Sequence, residues 1–251
     1  MREEKWNKVY SEAFGGQWYP DEGVVRFAAR FLQRRTGIGV YDKKREVRRV
    51  LDAGCGNGRH IVFFAEQGFD AWGTDISEKA IEIANAWVSK RGLKAHLEVG
   101  DITQLPFENS YFDVAISFGV LDHIPFSEAK RIMEEIGRVV AKGGYTYITL
   151  RSTEDAECGR GEKVANNTFV LQEGYEKGII QHFFDLEEIN DLFKDFNIFD
   201  IELHEQRFPD IFTVDKAFTQ SSKGVKRYID LSNPVSFSLK YARWHIAAEK
   251  V

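Results

Sequence analysis

Apolar positions between Val47 and Ser152 switch repeatedly between two spacings along the chain. Short apolar runs bounded by glycine or acidic residues predict buried strands, and longer stretches with apolar residues three and four apart predict helices. The predicted strands are RRVLDAG, DAWGTD, KAHLEVGD, YFDVAISFG and YTYITLRS, and the predicted helices are RHIVFFAEQG, SEKAIEIANAWVSKRG and SEAKRIMEEIGRVVAKGG. Gly143 and Gly144 are expected to end the last helix. This alternation predicts an α/β fold with a mainly parallel sheet that helices cover on both faces.

The segments outside this core are less regular. Residues 1–45 are expected to form a helical arm, because apolar residues at helical spacing run from Asp21 to Arg35 before Gly37 interrupts them. After the core, a hairpin of NTFVL against IIQHFF, a helix DLEEINDLFKDF and two strands, NIFDIELH and YARWHIAAEK, are predicted. Residues 153–184 and 205–240 are expected to be inserts that shape a substrate pocket, within a single domain spanning 1–251.

Composition narrows the range of partners. The formal net charge is -5 at pH 7, which argues against a nucleic-acid binder, and the one basic cluster, Lys43–Arg49, contains a glutamate and adjoins an apolar strand. Two cysteines, Cys55 and Cys158, cannot form a disulfide framework, and no Cys/His cluster has metal-ligand spacing. Neither a leader nor a membrane span is evident, so we expect a soluble, cytoplasmic protein without bound metal or membrane partner.

A glycine-rich stretch, VLDAGCGNGR, follows the first predicted strand of the core. A glycine turn between a strand and a helix lies at the carboxyl end of a parallel sheet, where such sheets bind ligands. The dinucleotide fingerprint requires a third glycine where Arg59 stands, and the G-x-x-x-x-G-K phosphate loop is absent. The glycines Gly54, Gly56 and Gly58 alone are compatible with a simple tight turn, so the motif by itself does not define the ligand.

Five motifs in order resemble those of the class I S-adenosylmethionine (SAM) dependent methyltransferases. VLDAGCGNGR is similar to motif I of that family, and the later motifs correspond to GTDIS, GDITQLPF, FDVAISFGVLDHI and VVAKGGYTYIT. The similarity covers Val50 to Thr149 and is weak over both inserts. It implies a Rossmann-like fold with a seven-stranded sheet, SAM as cofactor and S-adenosylhomocysteine as product.

The resemblance also implies which residues bind the cofactor. Asp75 would receive the ribose hydroxyls and Asp101 the adenine amino group, with Ile76 and Ile102 as apolar walls. NAD enzymes also carry an acidic residue at the position that Asp75 occupies, so this residue alone does not discriminate between a methyltransferase and an NAD enzyme. The complete expected set is Asp52, Gly54, Cys55, Gly56, Asp75, Ile76, Asp101, Ile102 and Phe118.

Methyl transfer requires little catalytic machinery. Holding the reactants in line supplies about 7 to 11 kcal/mol of barrier reduction, and a base is needed only when the acceptor must lose a proton. His123, in the loop after the fourth predicted strand of the family pattern, is the first candidate for a base, although such a histidine also serves as a pocket wall. Tyr10 is the second candidate, because family members fold an N-terminal aromatic residue over the methionine end. His182 and Arg151 are weaker candidates for substrate contact.

Missing motifs restrict the acceptor. The stretch SFGV stands where adenine and glutamine amino-methyltransferases carry a D/N/S-P-P-Y/F tetrad, and no Pro-Cys pair supplies a covalent nucleophile. A small molecule methylated on oxygen, nitrogen, sulfur or carbon remains as the expected acceptor. Two alternatives stay open: an NAD(P)-dependent oxidoreductase, which Arg59 and the lack of a Y-x-x-x-K pair oppose, and a SAM-binding protein without catalysis.

Overall fold

A computed structural model describes residues 2–12, 19–172, 176–209 and 237–251, with the side chains of 207–209 and 237–239 outside that description. Its α-helices are α1 (Arg2–Glu12), α2 (Glu22–Phe27), α3 (Arg59–Glu66), α4 (Glu78–Lys90), α5 (Phe126–Val139) and α6 (Leu186–Leu192). Its strands are β1 (Gln33–Gly37), β2 (Val40–Lys43), β3 (Arg49–Ala53), β4 (Asp70–Asp75), β5 (His96–Val99), β6 (Phe112–Ser117), β7 (Val140–Arg151), β8 (Glu162–Ala165), β9 (Thr168–Val170), β10 (Ile180–His182), β11 (Phe196–Pro209) and β12 (Phe237–Lys250). A π-helical turn (Ala28–Leu32) and a 3₁₀ turn (Leu121–His123) complete the described elements.

A seven-stranded sheet organises the molecule, in the order β11-β12-β7-β6-β3-β4-β5. The pairs β7–β6, β6–β3, β3–β4 and β4–β5 are parallel, and β12 runs antiparallel to both of its neighbours. The predicted Rossmann-like, mainly parallel sheet is confirmed. Strand order reverses between β3 and β6, where Ser117 Oγ donates a hydrogen bond of 2.8 Å to the Ala53 carbonyl. Ligands of such sheets bind at this reversal, outside the carboxyl ends of the strands.

Helices cover both faces of the sheet, as the apolar spacing predicts. On one face α5 presents Ile132 and Ile136, both fully buried, together with residues of α6. On the other face α2, α3 and α4 pack through residues that include Phe27, Phe64 and Ile81. Each fully buried large side chain stabilises the fold by about 1.5 to 3 kcal/mol relative to exposure, so these two layers hold the strand ends in place.

The expectation of a helical arm over residues 1–45 is wrong for residues 33–43. Helix α2 and the π-helical turn end at Leu32, which is fully buried, and the chain then forms the antiparallel hairpin β1–β2. The Leu32 carbonyl accepts backbone hydrogen bonds from Lys44 and Arg45, which closes the hairpin. The apolar face stops at Leu32, and Gly39 supplies the turn with a φ of 67°, so nothing apolar remains to carry the helix further.

The predicted helix end at Gly143 and Gly144 is also wrong, because α5 ends at Val139 and both glycines lie within β7. The register between β6 and β7 shifts here: Phe112 pairs with Val140, and Val114 pairs with Tyr145. A Cβ on Gly144 would lie 2.7 Å from the Asp113 carbonyl oxygen. The glycines therefore allow a bulge that brings the two strands together, which is another established use of glycine in strands.

The segments after β7 carry a second small sheet. Strands β9 and β10 pair antiparallel, as the predicted hairpin requires, and β8 adds a third strand at the edge. Asp185 and Glu188 form the predicted capping box of α6. Of the predicted insert at 205–240, only the two ends are described, as extensions of β11 and β12, and the rest lies outside the described residues.

Within the residues that the structure covers, no helix is both long and apolar enough to cross a membrane.

Candidate active site

A cavity of about 370 Å³ opens at the carboxyl ends of β3, β4 and β6, beside the reversal of strand order. This volume lies within the usual range for small-ligand sites. Helix α1 covers part of the cavity with three side chains, those of Arg2, Trp6 and Tyr10. The remaining lining residues are Gly54, Cys55, Gly56, Asn57, Arg59, His60, Asp75, Ile76, Gly100, Asp101, Ile102, Phe118, Gly119, Val120, His123, Ile124, Ile132, Arg151, Glu176 and Arg243. All of the sequence-predicted residues except Asp52 and His182 lie on this cavity.

The glycine loop between β3 and α3 forms the floor. Gly54 has a φ of 83° and Gly56 a φ of 54°, a backbone region that residues with a Cβ seldom adopt. A Cβ on Gly54 would collide with the Val120 side chain, and one on Gly56 would collide with the Tyr10 hydroxyl. Both glycines are thus required by conformation and by close approach of the loop to its neighbours.

Asp52 lies behind the loop rather than on the cavity. Its side chain is 1% exposed, and its Oδ2 is 3.5 Å from Nδ1 of His60. Nε2 of His60 accepts a hydrogen bond from the Asp21 backbone N–H at 3.3 Å, so the neutral ring carries its hydrogen on Nδ1, toward Asp52. Asp52 therefore does not line the cavity.

Asp75, at the end of β4, is the buried carboxylate of the cavity. Its Oδ2 accepts a hydrogen bond from Gly56 N and its Oδ1 one from Ser77 N, each 2.9 Å long. Burial raises its pKa to about 6, although both hydrogen bonds lower the pKa and the Asp52 charge raises it further. The carboxylate therefore joins the glycine loop to the start of α4 while remaining at the cavity wall.

The cavity narrows toward apolar walls and a second carboxylate. Ile76 and Ile102 follow the ends of β4 and β5 and line the cavity together. Asp101 stands exposed at the rim, where its Oδ1 accepts a 2.9 Å hydrogen bond from Thr103 N. The burial of Cys55, with the charges of Asp75 and Asp52, raises the pKa of the Cys55 thiol well above its usual value, so this side chain is a neutral wall.

Phe118 follows β6 and carries two arginines on its ring. The guanidinium carbon of Arg59 is 4.8 Å and that of Arg243 5.8 Å from the ring centroid. Among the described residues no carboxylate lies within ion-pair distance of Arg59, so its contact with the Phe118 ring is the one that positions it. Burial lowers the pKa of Arg59, and the nearby Arg243 lowers it further.

The far end of the cavity is formed by the 3₁₀ turn and the small sheet. His123 lines the cavity, and its ring contacts Trp6 edge-on with 5.0 Å between centroids. Nδ1 of His123 is 3.0 Å from Nε2 of Gln181, which is fully buried on β10. Arg151 also lines this end and forms a 2.8 Å ion pair with Glu157.

His182 is not brought to the cavity. It is fully buried, shares a 2.7 Å hydrogen bond with Thr168 and stacks on Phe126 with 5.6 Å between ring centroids. Its position in β10 directs it to the side opposite Gln181, because adjacent strand residues alternate in direction.

Helix α1 is held over the cavity mainly by polar contacts. Asn7 Oδ1 accepts hydrogen bonds from Ser77 Oγ at 2.7 Å and from Lys79 N at 3.2 Å. Arg2 pairs with Glu128, and Lys5 Nζ donates to the Gly178 carbonyl at 2.6 Å. Val9 is the one fully buried side chain of this helix. Burial raises the pKa of Tyr10, as do the charges of Asp75 and Asp52, so its hydroxyl stays protonated.

Several lining residues were missed by sequence reasoning. Trp6 precedes Tyr10 by four positions, a spacing that places both on one helix face and could have indicated a shared role. Arg243 and Glu176 carry no comparable local signal, because only the return of β12 and of the small sheet brings them to the cavity. The described residues hold no group of three or more His, Cys, Asp or Glu that could bind a metal ion.

Comparison with known proteins identifies the central region. Residues 50–144 match the family model described as a methyltransferase domain. A tRNA (carboxymethyluridine(34)-5-O)-methyltransferase of Arabidopsis thaliana is 36% identical over 109 residues, covering 43% of this chain and 25% of the relative. The chloroplastic tocopherol O-methyltransferase of the same plant is 29% identical over 169 residues, covering 61% and 48% of the two chains. The chain spans between 25% and 42% of the length of the first curated relatives that it matches.

A solved structure extends the comparison to most of the fold. The crystal structure of a SAM-dependent methyltransferase from Methanosarcina mazei has a TM-score of 0.62 and 23% identity, and the match covers 82% of this chain and 94% of that one. At this identity the likeness concerns the fold. Residues 50–144 thus match a methyltransferase domain, and the strand order is that of the Rossmann-like fold of SAM-dependent methyltransferases.

Proposed function

We propose that this protein transfers a methyl group from SAM to a small-molecule acceptor. The observation that carries the proposal is the convergence of Asp75, Asp101, Ile76 and Ile102 on one cavity beside the glycine loop. This set suits a nucleoside whose sugar offers two hydroxyl donors and whose base offers an amino donor and an apolar face. The residues present therefore fit the cofactor that the family implies.

Other groups of the cavity suit the amino-acid end of the cofactor. The first turn of α3 presents unpaired backbone N–H groups directly after the glycine loop, and helix N-termini favour carboxylates. The Tyr10 hydroxyl lies against Gly56, so α1 closes this end. We assign Gly54, Cys55 and Gly56 to contacts with the cofactor and Asp52 to an electrostatic role behind them.

When bound, SAM supplies a methyl group on a positively charged sulfur. The protein has mainly to hold the acceptor in line with that group and to exclude water, which accounts for about 7 to 11 kcal/mol in well-oriented reactions. Phe118, His123 and Trp6 line the part of the cavity that is left for an acceptor. Tyr10 contributes by closing the site, since its high pKa excludes it as a base near neutral pH.

The acceptor class and the setting are part of the proposal. A concave cavity of about 370 Å³ beneath α1 is of a size that suits a small molecule. The net charge of -5 also disfavours nucleic acid. Cys55 and Cys158 are free thiols, which supports a reducing, cytoplasmic setting.

Binding measurements test the cofactor assignment. We expect calorimetry to detect SAM and S-adenosylhomocysteine but not NAD(H) or NADP(H), and native mass spectrometry to detect co-purified nucleoside. Asp75→Ala should weaken S-adenosylhomocysteine binding by about tenfold or more, which corresponds to about 1.4 kcal/mol. Asp70→Ala, at the other end of the same strand, is the matched control and should bind normally. Dinucleotide binding without SAM binding would revive the oxidoreductase alternative.

Turnover separates an enzyme from a non-catalytic SAM-binding protein. SAM with a labelled methyl group should label at least one member of a panel of small phenols, carboxylates, amines and thiols. Binding of SAM without methyl transfer to any acceptor of these classes would favour the non-catalytic alternative.

A further inference from the structure

We infer that Gln181 holds His123 as a neutral imidazole with its hydrogen on Nε2, so that His123 is a hydrogen-bond donor to the acceptor and not a base. Gln181 is a positioning residue in this assignment, because it acts through His123. The tautomer of His123 is a property of the ligand-free protein. Its consequence for the methyl acceptor rests on the proposed function.

The orientation of the Gln181 amide follows from two neighbours with opposite capacities. Nη1 of Arg151 is 2.9 Å from Oε1 of Gln181, and an arginine can only donate. Oε2 of Glu176 is 2.8 Å from Nε2 of Gln181, and an ionised carboxylate can only accept. Turning the amide over would set donor against donor and acceptor against acceptor, so Nε2 must face Glu176.

The same amide nitrogen lies 3.0 Å from Nδ1 of His123. Nε2 of Gln181 has two hydrogens, of which one serves Glu176 and the other serves His123. Nδ1 of His123 must then accept, and a neutral imidazole that accepts at one nitrogen carries its hydrogen on the other. The hydrogen of His123 therefore lies on Nε2.

The surroundings keep the ring neutral. Burial lowers the pKa of His123, and the positive charges of Arg151 and Arg243 lower it further, against the opposing effect of Glu176 and Asp122. Asp122 is largely engaged elsewhere: Oδ1 accepts from Arg151 N at 2.6 Å and Oδ2 from Arg243 Nη1 at 2.5 Å. A protonated ring would also direct an N–H at the Gln181 amide, where no acceptor is available.

Gln181 and Arg151 are each held in place by further contacts. Gln181 is fully buried in β10, which pairs with β9 on one side and packs against the 3₁₀ turn. Arg151 is fixed by its ion pair with Glu157. The two orientations of the amide are thus strongly unequal, and the tautomer of His123 is set before any ligand binds.

The consequence is a restriction on the acceptor. With Nδ1 occupied by Gln181 and the ring lining the cavity, Nε2–H is the group that His123 offers to a ligand. A carbonyl, carboxylate or phenolate oxygen can accept that hydrogen. His123 in this state cannot remove a proton through Nε2, so it suits an acceptor atom that is already nucleophilic, as in a carboxylate, phenolate, enolate, thiolate or neutral amine.

Nitrogen NMR of the protein labelled with ¹⁵N-histidine tests the tautomer directly. Long-range ¹H–¹⁵N correlations distinguish protonated from unprotonated ring nitrogens, and the signals that disappear in His123→Asn identify this ring among the six histidines. Near pH 7, with and without S-adenosylhomocysteine, we expect Nε2 protonated and Nδ1 unprotonated. A hydrogen on Nδ1, or on both nitrogens, would overturn the inference.

A pair of isosteric changes tests the part played by Gln181. Gln181→Glu removes the donor beside Nδ1, so we expect His123 to move its hydrogen to Nδ1 or to become protonated. Gln172→Glu, an exposed position of the same segment, adds the same charge and should leave the spectrum unchanged. An unaltered His123 tautomer in folded Gln181→Glu would refute the positioning role, and if that variant does not fold, the wild-type spectrum decides.

These spectra need no turnover, so they remain informative if methyl transfer is never found. Conversely, a spectrum with the hydrogen on Nδ1 would refute the donor assignment even if the protein proves to be a methyltransferase.

Discussion

Burial of the Asp75 carboxyl group makes the stability of the ligand-free protein depend on pH. Its pKa of about 6 in the folded protein lies above the usual value of 3.8, so the folded state binds this proton more tightly than the unfolded chain. The sign follows from linkage: the associated stability is present below the unfolded pKa and is lost as the pH rises through about 6. The loss is on the order of 3 kcal/mol. The ligand-free protein thus keeps an ionised carboxylate in a buried wall at the expense of stability.

Asp75→Asn should remove this pH dependence. We expect the free energy of unfolding of the ligand-free wild type to fall between pH 5 and pH 7, and that of the variant to stay nearly level. Urea denaturation at the two pH values measures the difference. Glu66→Gln, which alters an exposed ion pair on α3, is a suitable control, and an equal fall in Asp75→Asn would contradict the assignment of the shift to Asp75.

Gly54 carries a second prediction at this scale. Gly54→Ala should destabilise the protein by about 1 to 3 kcal/mol, because alanine at a φ of 83° is strained and its Cβ meets Val120. Adding Val120→Ala should relieve the destabilisation that comes from the steric contact but not the part that comes from backbone strain. A double-mutant cycle measured by thermal unfolding separates the two contributions. Strict additivity of the two changes would show that the contact is unimportant.

Sequence motifs correctly predicted that residues at or near the ends of core strands lie together. Asp75, Asp101, Ile76 and Ile102 each follow a strand of the core directly, so the parallel sheet brings them together, as expected. Asp52 behaves differently, because the packing of α2 against α3 places His60 beside it, and no local pattern reports that contact. Their roles toward a ligand remain predictions.

At the scale of elements, α1 combines a position over the cavity with a weak attachment. Its polar contacts to α4, α5 and the segment before β10 are each worth about 1 kcal/mol. Such a helix is expected to open locally far more often than the sheet beneath it. Opening of α1 would expose the glycine loop and Asp75, so we expect this helix to set the rate at which the cofactor leaves.

Asn7→Ala tests this expectation. The substitution removes two hydrogen bonds between α1 and the start of α4, and a loss of about 1 kcal/mol should speed S-adenosylhomocysteine dissociation about fivefold. Stopped-flow displacement measures the rate, and the melting temperature should change little. Lys8→Ala, exposed on the same helix, should leave dissociation unaltered. Equal rates for Asn7→Ala and wild type would exclude α1 as the gate.

The elements also show where periodicity fails as a guide. The helical spacing after Asp21 and the glycine pair after Val139 each predicted a longer helix than the structure contains. After Leu32 the chain instead forms a short hairpin with the neighbouring β2, and after Val139 the strand β7 pairs with β6, which lies before α5 in the chain. Local propensity cannot register a distant partner, which is the general reason that strand boundaries escape sequence reasoning.

For the molecule as a whole, the sheet divides into a part that carries the cavity and a part that holds the fold together. The cavity is built on β3, β4, β5 and β6, whereas β12 lies between β7 and β11 and pairs with both. Ile246 of β12 is fully buried in the core shared with α5. The motifs predicted a mainly parallel, seven-stranded Rossmann-like sheet, but the insertion of an antiparallel strand at this place reflects long-range pairing.

Hydrogen exchange measured by mass spectrometry should separate these parts. We expect peptides of β12 to exchange only through global unfolding and peptides of α1 through local opening, because β12 has partners on both sides and α1 rests on polar contacts. Saturation with S-adenosylhomocysteine should slow exchange in α1 more than in the β1–β2 hairpin, which serves as an internal control. Protection of α1 equal to that of β12 in the free protein would contradict this division.

The interior place of β12 has a consequence for biosynthesis. It comes after both of its partners in chain order, so a ribosome completes the glycine loop, Asp75 and Asp101 well before the edges of β7 and β11 can be joined. Until then, two long strands present unpaired amides and carbonyls, which are templates for association between nascent chains. A premature stop or a proteolytic cut ahead of β12 would therefore yield an aggregating fragment that still carries the cavity-lining residues of β3 to β6, rather than a smaller working protein.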